Sequence, residues 1–274
     1  MTNYTVTARN FSEASENRIH SDAVARKFGF RGALVPGVAV YGHLTYPLVS
    51  QFGDEFARHW LEQGLDHLRL LKPAYHGDEL SLDIESVADG QRVTCTNQTG
   101  ELLATVHNQT VAPDNNAASD STGQPDLLEG AARPQLDGDF KHPERILIEW
   151  ESIQVGQPFA PWQYAISAGE NQRYASEVND PWPHYAEFAH PHLLCSLANT
   201  TLTNEYIMPI WIHVGTSTQR HSALRVGETI NIHAVPMERW RHKGHEFIKL
   251  YISYWRGEQL TTELLHTAIY QVAS

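Results

Sequence analysis

Two glycine–acid turns recur in the same order on either side of a polar middle segment, and this repeat constrains the fold more than any other feature. Tyr75-His76-Gly77-Asp78 corresponds to Arg225-Val226-Gly227-Glu228. Each is followed by a run with alternating apolar residues: Leu80, Leu82 and Ile84 in the first copy, Ile230 and Ile232 in the second. Gln98-Thr99-Gly100-Glu101 matches Trp255-Arg256-Gly257-Glu258 in the same way. A Gly-acid turn between two period-2 runs is how an antiparallel meander reads in sequence. A helical segment precedes each set of strands, so each half has α+β architecture, with its helix covering one face of an antiparallel sheet.

The helical segments can be placed from their periodicity. In the first half, Val38, Tyr41, Leu44, Leu48, Val49 and Phe52 follow a spacing near 3.6 residues. The helix should open at Pro36 and Gly37, and Pro47 should kink or end it. Its counterpart is His190 to Tyr206. Between the halves the composition turns to Asp, Asn, Ser, Gly and Pro without periodic apolar residues. The expected division is therefore an N-terminal module over 1–111, a polar linker over 112–140 and a C-terminal module over 141–274.

Composition removes several function classes. The net charge of −12 opposes a nucleic-acid partner, since phosphate binding relies on clustered Lys and Arg and the one basic group here, Arg239, Arg241 and Lys243, is short. No stretch approaches the roughly 20 apolar residues of a membrane helix, and the first residues lack a signal peptide's pattern, so the expected compartment is the cytoplasm with no membrane partner. Cys95 and Cys195 stand far apart without metal-ligand spacing and are expected to be buried.

The 16 histidines direct attention to proton chemistry. In Ser15 to Gly42, Asn17, His20, Asp22, Ala25, Phe28, Val35 and Gly37 follow one another at spacings that resemble the MaoC-like, (R)-specific enoyl-CoA hydratase family. That family's signature is D-x-N-P-x-H, an acid and an alanine, and a glycine opening a central helix. Leu70-Leu71-Lys72-Pro73 before Gly77-Asp78 is similar as well. The resemblance implies a double hot-dog: two tandem modules, each a central helix wrapped by an antiparallel sheet. It also implies an acyl-thioester substrate, coenzyme A as part of that substrate, no separate cofactor or metal, and a possible homodimer.

The chain departs from the signature where the family has its catalytic aspartate, because Ser15 stands there. Glu16, four residues before His20, is the candidate substitute, and Asp180 stands four before His184 in the second half. The expected catalytic group is His20, Glu16, Asn17 and Asp22, with His20 transferring protons, Glu16 as its partner and Asn17 orienting water or substrate. The N–H groups of Gly37 and Val38, unpaired at a helix start, should receive the thioester oxygen. Asp180, Trp182, His184 and His213 are candidate substrate-binding residues. His20 and Asp22 could equally only cap the short helix that follows them. The polar run His184, Glu187, His190 and His192, with His213 and His221, fits no metal-site spacing and should line or cap a pocket. The favoured function is a hydratase or dehydratase acting on a 2-enoyl thioester; the alternatives are a hot-dog acyl-CoA thioesterase and a catalytically degenerate acyl-binding protein.

Overall fold

The computed structural model describes residues 4–110, 127–128, 130–134, 136 and 144–273. Most of the expected linker over 112–140 lies outside these residues. In chain order the strands are β1 (Tyr4–Thr7), β2 (Leu65–Leu70), β3 (Glu79–Val87), β4 (Gly90–Thr96), β5 (Leu102–Asn108), β6 (Ile146–Leu147), β7 (Trp162–Ala165), β8 (Tyr206–Ile207), β9 (Ile212–Arg220), β10 (Thr229–His242), β11 (His245–Arg256) and β12 (Gln259–Gln271). The helices are α1 (Asp22–Ala25), α2 (Gly37–Gln63), α3 (Ala168–Glu177) and α4 (Pro191–Glu205).

Ten strands form one antiparallel sheet in the order β1-β3-β4-β5-β2-β9-β12-β11-β10-β7. The order reads as two five-stranded sheets joined side by side. Their seam is β2 against β9, from Leu65 opposite Gln219 to Arg69 opposite Gly215. The repeat holds to the level of turn chemistry. Gly77 and Gly227 take φ of 86° and 91°, a region open to a residue without Cβ. Behind each, the following acid accepts the N–H three residues back: Asp78 from Tyr75 and Glu228 from Arg225, both at 2.9 Å.

Each half-sheet covers its own helix. Val38, Tyr41, Leu44, Leu48 and Val49 of α2 pack with Leu80, Leu82, Val93 and Val106. Leu193, Leu197 and Leu202 of α4 pack with Ile230, Ile232, Leu250 and Ile252. The two helices meet where α2 has no side chain: a Cβ on Gly42 would lie 2.9 Å from the Cβ of His192. Helix α2 is interrupted at Gly53 (φ 78°, ψ −175°), not at Pro47 as expected. Proline's fixed φ suits a helix and Pro47 costs one backbone bond, whereas the conformation at Gly53 excludes helix continuation.

The seam also carries a buried charge cluster. Asp66 of β2 accepts from Tyr41 Oη (2.7 Å), Trp60 Nε1 (3.1 Å), Asn108 Nδ2 (2.6 Å) and Arg220 Nη1 (2.9 Å), so an α2–β2 group is tied to β9 of the other half. A buried carboxylate with four donors and a paired guanidinium has its desolvation cost offset, and removing either partner would leave an uncompensated charge. Cys95 and Cys195 are buried free thiols, each pushed up to about 12 by burial. Of the basic group in the second half, Arg239 and Arg241 stack on Trp150 with guanidinium carbons 4.6 and 4.2 Å from the ring centre. Among the described residues no helix is long and apolar enough to cross a membrane.

Candidate functional site

His20 ends a single 3-10 turn, Arg18–His20, whose N-cap is Asn17. The turn orients both side chains inward, and each is buried. His20 Nδ1 lies 2.7 Å from the Leu34 carbonyl oxygen, which can only accept, so Nδ1 carries the ring proton. Nε2 is then the lone-pair nitrogen and accepts from Asn17 Nδ2 at 3.3 Å. Burial lowers the His20 pKa, with the Leu34 bond acting weakly the other way, so the ring is neutral at neutral pH.

Asn17 does not orient water, as expected from sequence; its amide is fully committed. Nδ2 donates to His20 and to the Trp211 carbonyl (2.9 Å), while Oδ1 accepts from Trp211 N–H (3.2 Å) and Ile19 N–H (3.3 Å). Trp211 belongs to the second half, so Asn17 is a strut that holds His20 against it.

Two cavities share this wall. One, of about 240 Å³, is apolar: Ile19, Phe30, Leu34, Val40, Ile212 and Ile269 line it with His20, Gly37 and His213. The other, of about 330 Å³, is more polar and includes Ser15, Glu16, Val38, Arg173, Ser196 and Thr200. Asn17, His20, Pro36, Asn199 and Trp211 border both. The start of α2 stands between them, Gly37 on the apolar side and Val38 on the polar side. Ala39 and Val40 N–H bond the Pro36 carbonyl, whereas Gly37 and Val38 precede the first intrahelical bond. Gly37 leaves room here: a Cβ would meet the tip of the Leu70 side chain and lie 3.0 Å from His213 Nδ1.

Several expected site residues are placed elsewhere. Glu16 does not pair with His20. Its carboxylate is 69% exposed and bound by Arg145 at 2.7 and 3.2 Å, and that guanidinium lowers its pKa. Asp22 is exposed and accepts from Ala33 N–H at 2.7 Å, pinning the loop before α2, and it caps nothing at α1, whose N-cap is Ser21. Asp180 and His184 do not meet either. Asp180 takes the Trp182 N–H (3.1 Å) and its other oxygen lies 3.4 Å from His190 Nε2. His184 accepts from Arg58 (2.9 Å) and donates to Asp54 (3.0 Å), both on α2. Trp182 is buried between Tyr185 and Phe188, its Nε1 donating to Asp54 at 2.8 Å.

None of Asp180, Trp182 and His184 borders the two cavities. The histidine-rich run is likewise dispersed among separate partners, and among the described residues no group of three or more His, Cys, Asp or Glu converges as a metal site would. The helix start of the second half is closed as well. Pro191 has no N–H, and the His192 N–H is taken by His190 Nδ1 at 3.0 Å.

Sequence reading missed Asn199, whose Oδ1 is buried without a hydrogen-bond partner among the described residues, and the Thr216–His266 pair behind His213. A signal for Asn199 existed: Ser196, Asn199, Thr200 and Thr203 form a polar stripe at helical spacing on α4. Nothing local marks Thr216 or His266, which are brought together only by the pairing of β9 with β12.

No family model matches the sequence, and no curated protein is similar to it. Solved structures align over nearly the whole chain. A protein assigned as a MaoC domain dehydratase from Chloroflexus aurantiacus is 14% identical, with 99% of this chain and 94% of that one covered and a TM-score of 0.67. A Mycobacterium tuberculosis protein with a double hotdog fold is 13% identical over 98% and 96%, with a TM-score of 0.58. A protein assigned as an oleoyl thioesterase from Lactobacillus plantarum is 8% identical over 98% and 97%, with a TM-score of 0.52. The chain has the double hot-dog fold, the fold of MaoC-like dehydratases and of thioesterases alike.

Proposed function

We propose that this chain acts on acyl thioesters in the His20 cavity, adding water to or removing it from a 2-enoyl thioester. The observation that carries the reading is the neutral His20 ring, its Nε2 lone pair on the wall of a cavity that also holds the open start of α2. The apolar cavity, larger than the roughly 150 Å³ that accommodates benzene, suits a short to medium acyl chain.

In the hydration direction, a water displaces the Asn17 amide from His20 Nε2, and Nε2 takes its proton as the water oxygen bonds to the β-carbon. The double-bond electrons move to the α-carbon and onto the thioester oxygen, which Gly37 and Val38 N–H and the α2 dipole stabilise. The imidazolium then returns its proton to the α-carbon, so one base serves both steps and no aspartate is needed. Coenzyme A enters only as part of the substrate. Hydrolysis is disfavoured by the carboxylates available: Glu16 and Glu177 border the polar cavity, and both are bound by arginine.

The test is the absorbance of the conjugated thioester on mixing with enoyl-CoAs of graded length, with His20→Ala alongside and free thiol measured in parallel. Loss of the band without thiol release, in wild type and not in His20→Ala, supports hydration. Thiol release with the double bond intact would replace it by hydrolysis.

A further inference from the structure

Behind His213, which lines the apolar cavity with His20, lies a buried chain of polar groups that the mechanism above leaves unused. His213 Nε2 lies 2.7 Å from Thr216 Oγ1, which lies 2.8 Å from His266 Nδ1. The two imidazoles stack with centroids 4.4 Å apart at 27°. His213 and His266 are buried, and His213 Nδ1 and His266 Nε2 have no hydrogen-bond partner among the described residues. Of these two atoms, His213 Nδ1 faces the start of α2, 3.0 Å from where a Gly37 Cβ would be.

The Thr216 hydroxyl has one proton and two lone pairs, so at least one imidazole donates to it and its own proton can go to the other. If the polarity ran from His213 to His266, the N–H of His266 Nε2 would be buried without an acceptor, an arrangement that costs roughly 1–3 kcal/mol. If it runs from His266 through Thr216 to His213, His266 leaves only a bare lone pair, and the N–H left over is His213 Nδ1–H, packed against the start of α2, where a bound oxygen can accept it. Cys195 Sγ, 4.0 Å from the same hydroxyl, can occupy its second acceptor position. Burial holds His213 well below its usual range, at about 4, against a weaker opposite pull from the Gly215 carbonyl, so the ring stays neutral.

We infer that His213 is a neutral hydrogen-bond donor to the thioester oxygen, its Nδ1–H held beside Gly37 at the cavity lining by the Thr216–His266 relay. The inference rests on the thioester reading for its ligand and on geometry for its donor. A neutral imidazole donates without transferring its proton, so no charge need enter this buried wall during turnover. His213 touches substrate, and Thr216 and His266 are positioning residues that act through it.

Two measurements separate this inference from the parent reading. In ¹⁵N-labelled protein, long-range nitrogen–proton correlation should show His213 with a protonated Nδ1 and a bare Nε2 across neutral pH, and Thr216→Val should mix the two tautomers. A bare Nδ1 in wild type overturns the inference, whatever the activity. On binding a dienoyl-CoA, the ligand's absorbance band should move to longer wavelength in wild type and in His20→Ala, and much less in His213→Phe. An equal shift in His213→Phe at full occupancy also overturns it. Failure of wild type to bind any enoyl thioester overturns the parent reading and removes this ligand with it. With turnover present, His213→Phe should lower kcat by about 10²–10³ with little change in KM, and Thr216→Val by about tenfold.

Discussion

Asn17 of the first half holds the Trp211 backbone of the second at both of its polar groups, accepting its N–H at 3.2 Å and donating to its carbonyl at 2.9 Å. The same amide donates to His20, so the joint between the halves and the placement of the base are one structure. Asn17→Ala should cost about 2–4 kcal/mol in urea unfolding, since it strands both Trp211 groups in a buried position. Turnover should fall with it. A loss below about 0.5 kcal/mol would mean that water replaces the amide and that the strut is dispensable.

The lowered pKa of His20 fixes the sign of the pH–rate profile. The ring is the active base when neutral, so kcat/KM should be flat at neutral pH and decline on acidification only below the ordinary histidine value of 6.5. His20→Gln should remove about 10²–10⁴ of the rate and abolish that limb. A limb at or above 6.5 would point to another group.

Glu16 provides the contrasting control. It is exposed and engaged with Arg145, so Glu16→Gln should alter stability by less than about 1 kcal/mol and turnover by less than about tenfold. A loss as large as that of His20→Gln would show that the Arg145 pair opens during catalysis and that the carboxylate then acts at the site.

Buried neutral histidines make the fold acid-sensitive. His43 and His213 are each lowered by burial to about 4, against 6.5 when unfolded. Above 6.5 neither state is protonated and stability is full. Between 6.5 and 4 only the unfolded chain gains protons, and each histidine withdraws up to about 1.4 kcal/mol per pH unit. Denaturant unfolding at pH 7.5 and 5 should show this decline, and His43→Leu should reduce the slope by about one proton. Glu263, which burial pushes up but hydrogen bonds from His221, Arg133 and Tyr251 bring down to about 2, extends the decline below pH 4.5.

The frame was legible in the sequence because its turns are local. Gly77-Asp78 and Gly227-Glu228 carry their own geometry, and the two helices follow from periodicity. His20 and Gly37 were legible for a similar reason, each standing at a local structural boundary. The partners of the acids were not. An acid four residues before a histidine sits on a turn whose direction is set by the opposite half: Arg145 draws Glu16 outward, and Asp54 and Arg58 take His184. Trp182 reads as a loop aromatic between prolines, yet its indole is buried against Tyr185 and Phe188 and bonded to Asp54 of α2. The helix break was misplaced because proline signals loss of a bond, while Gly53 accommodates a conformation that its neighbours leave no sign of.

The β2–β9 seam joins two modules built on one plan, but among the described residues the open helix start, the strut and the unpartnered imidazole edge come together once. At the related position of the second module Pro191 has no N–H, the His192 N–H is capped by His190, and His184 is taken by Asp54. Symmetry of frame therefore does not carry over to occupancy. A calorimetric titration should end at one molar equivalent per chain along a simple hyperbola, and because that single guest touches both modules, its binding should appear as tighter cohesion between them.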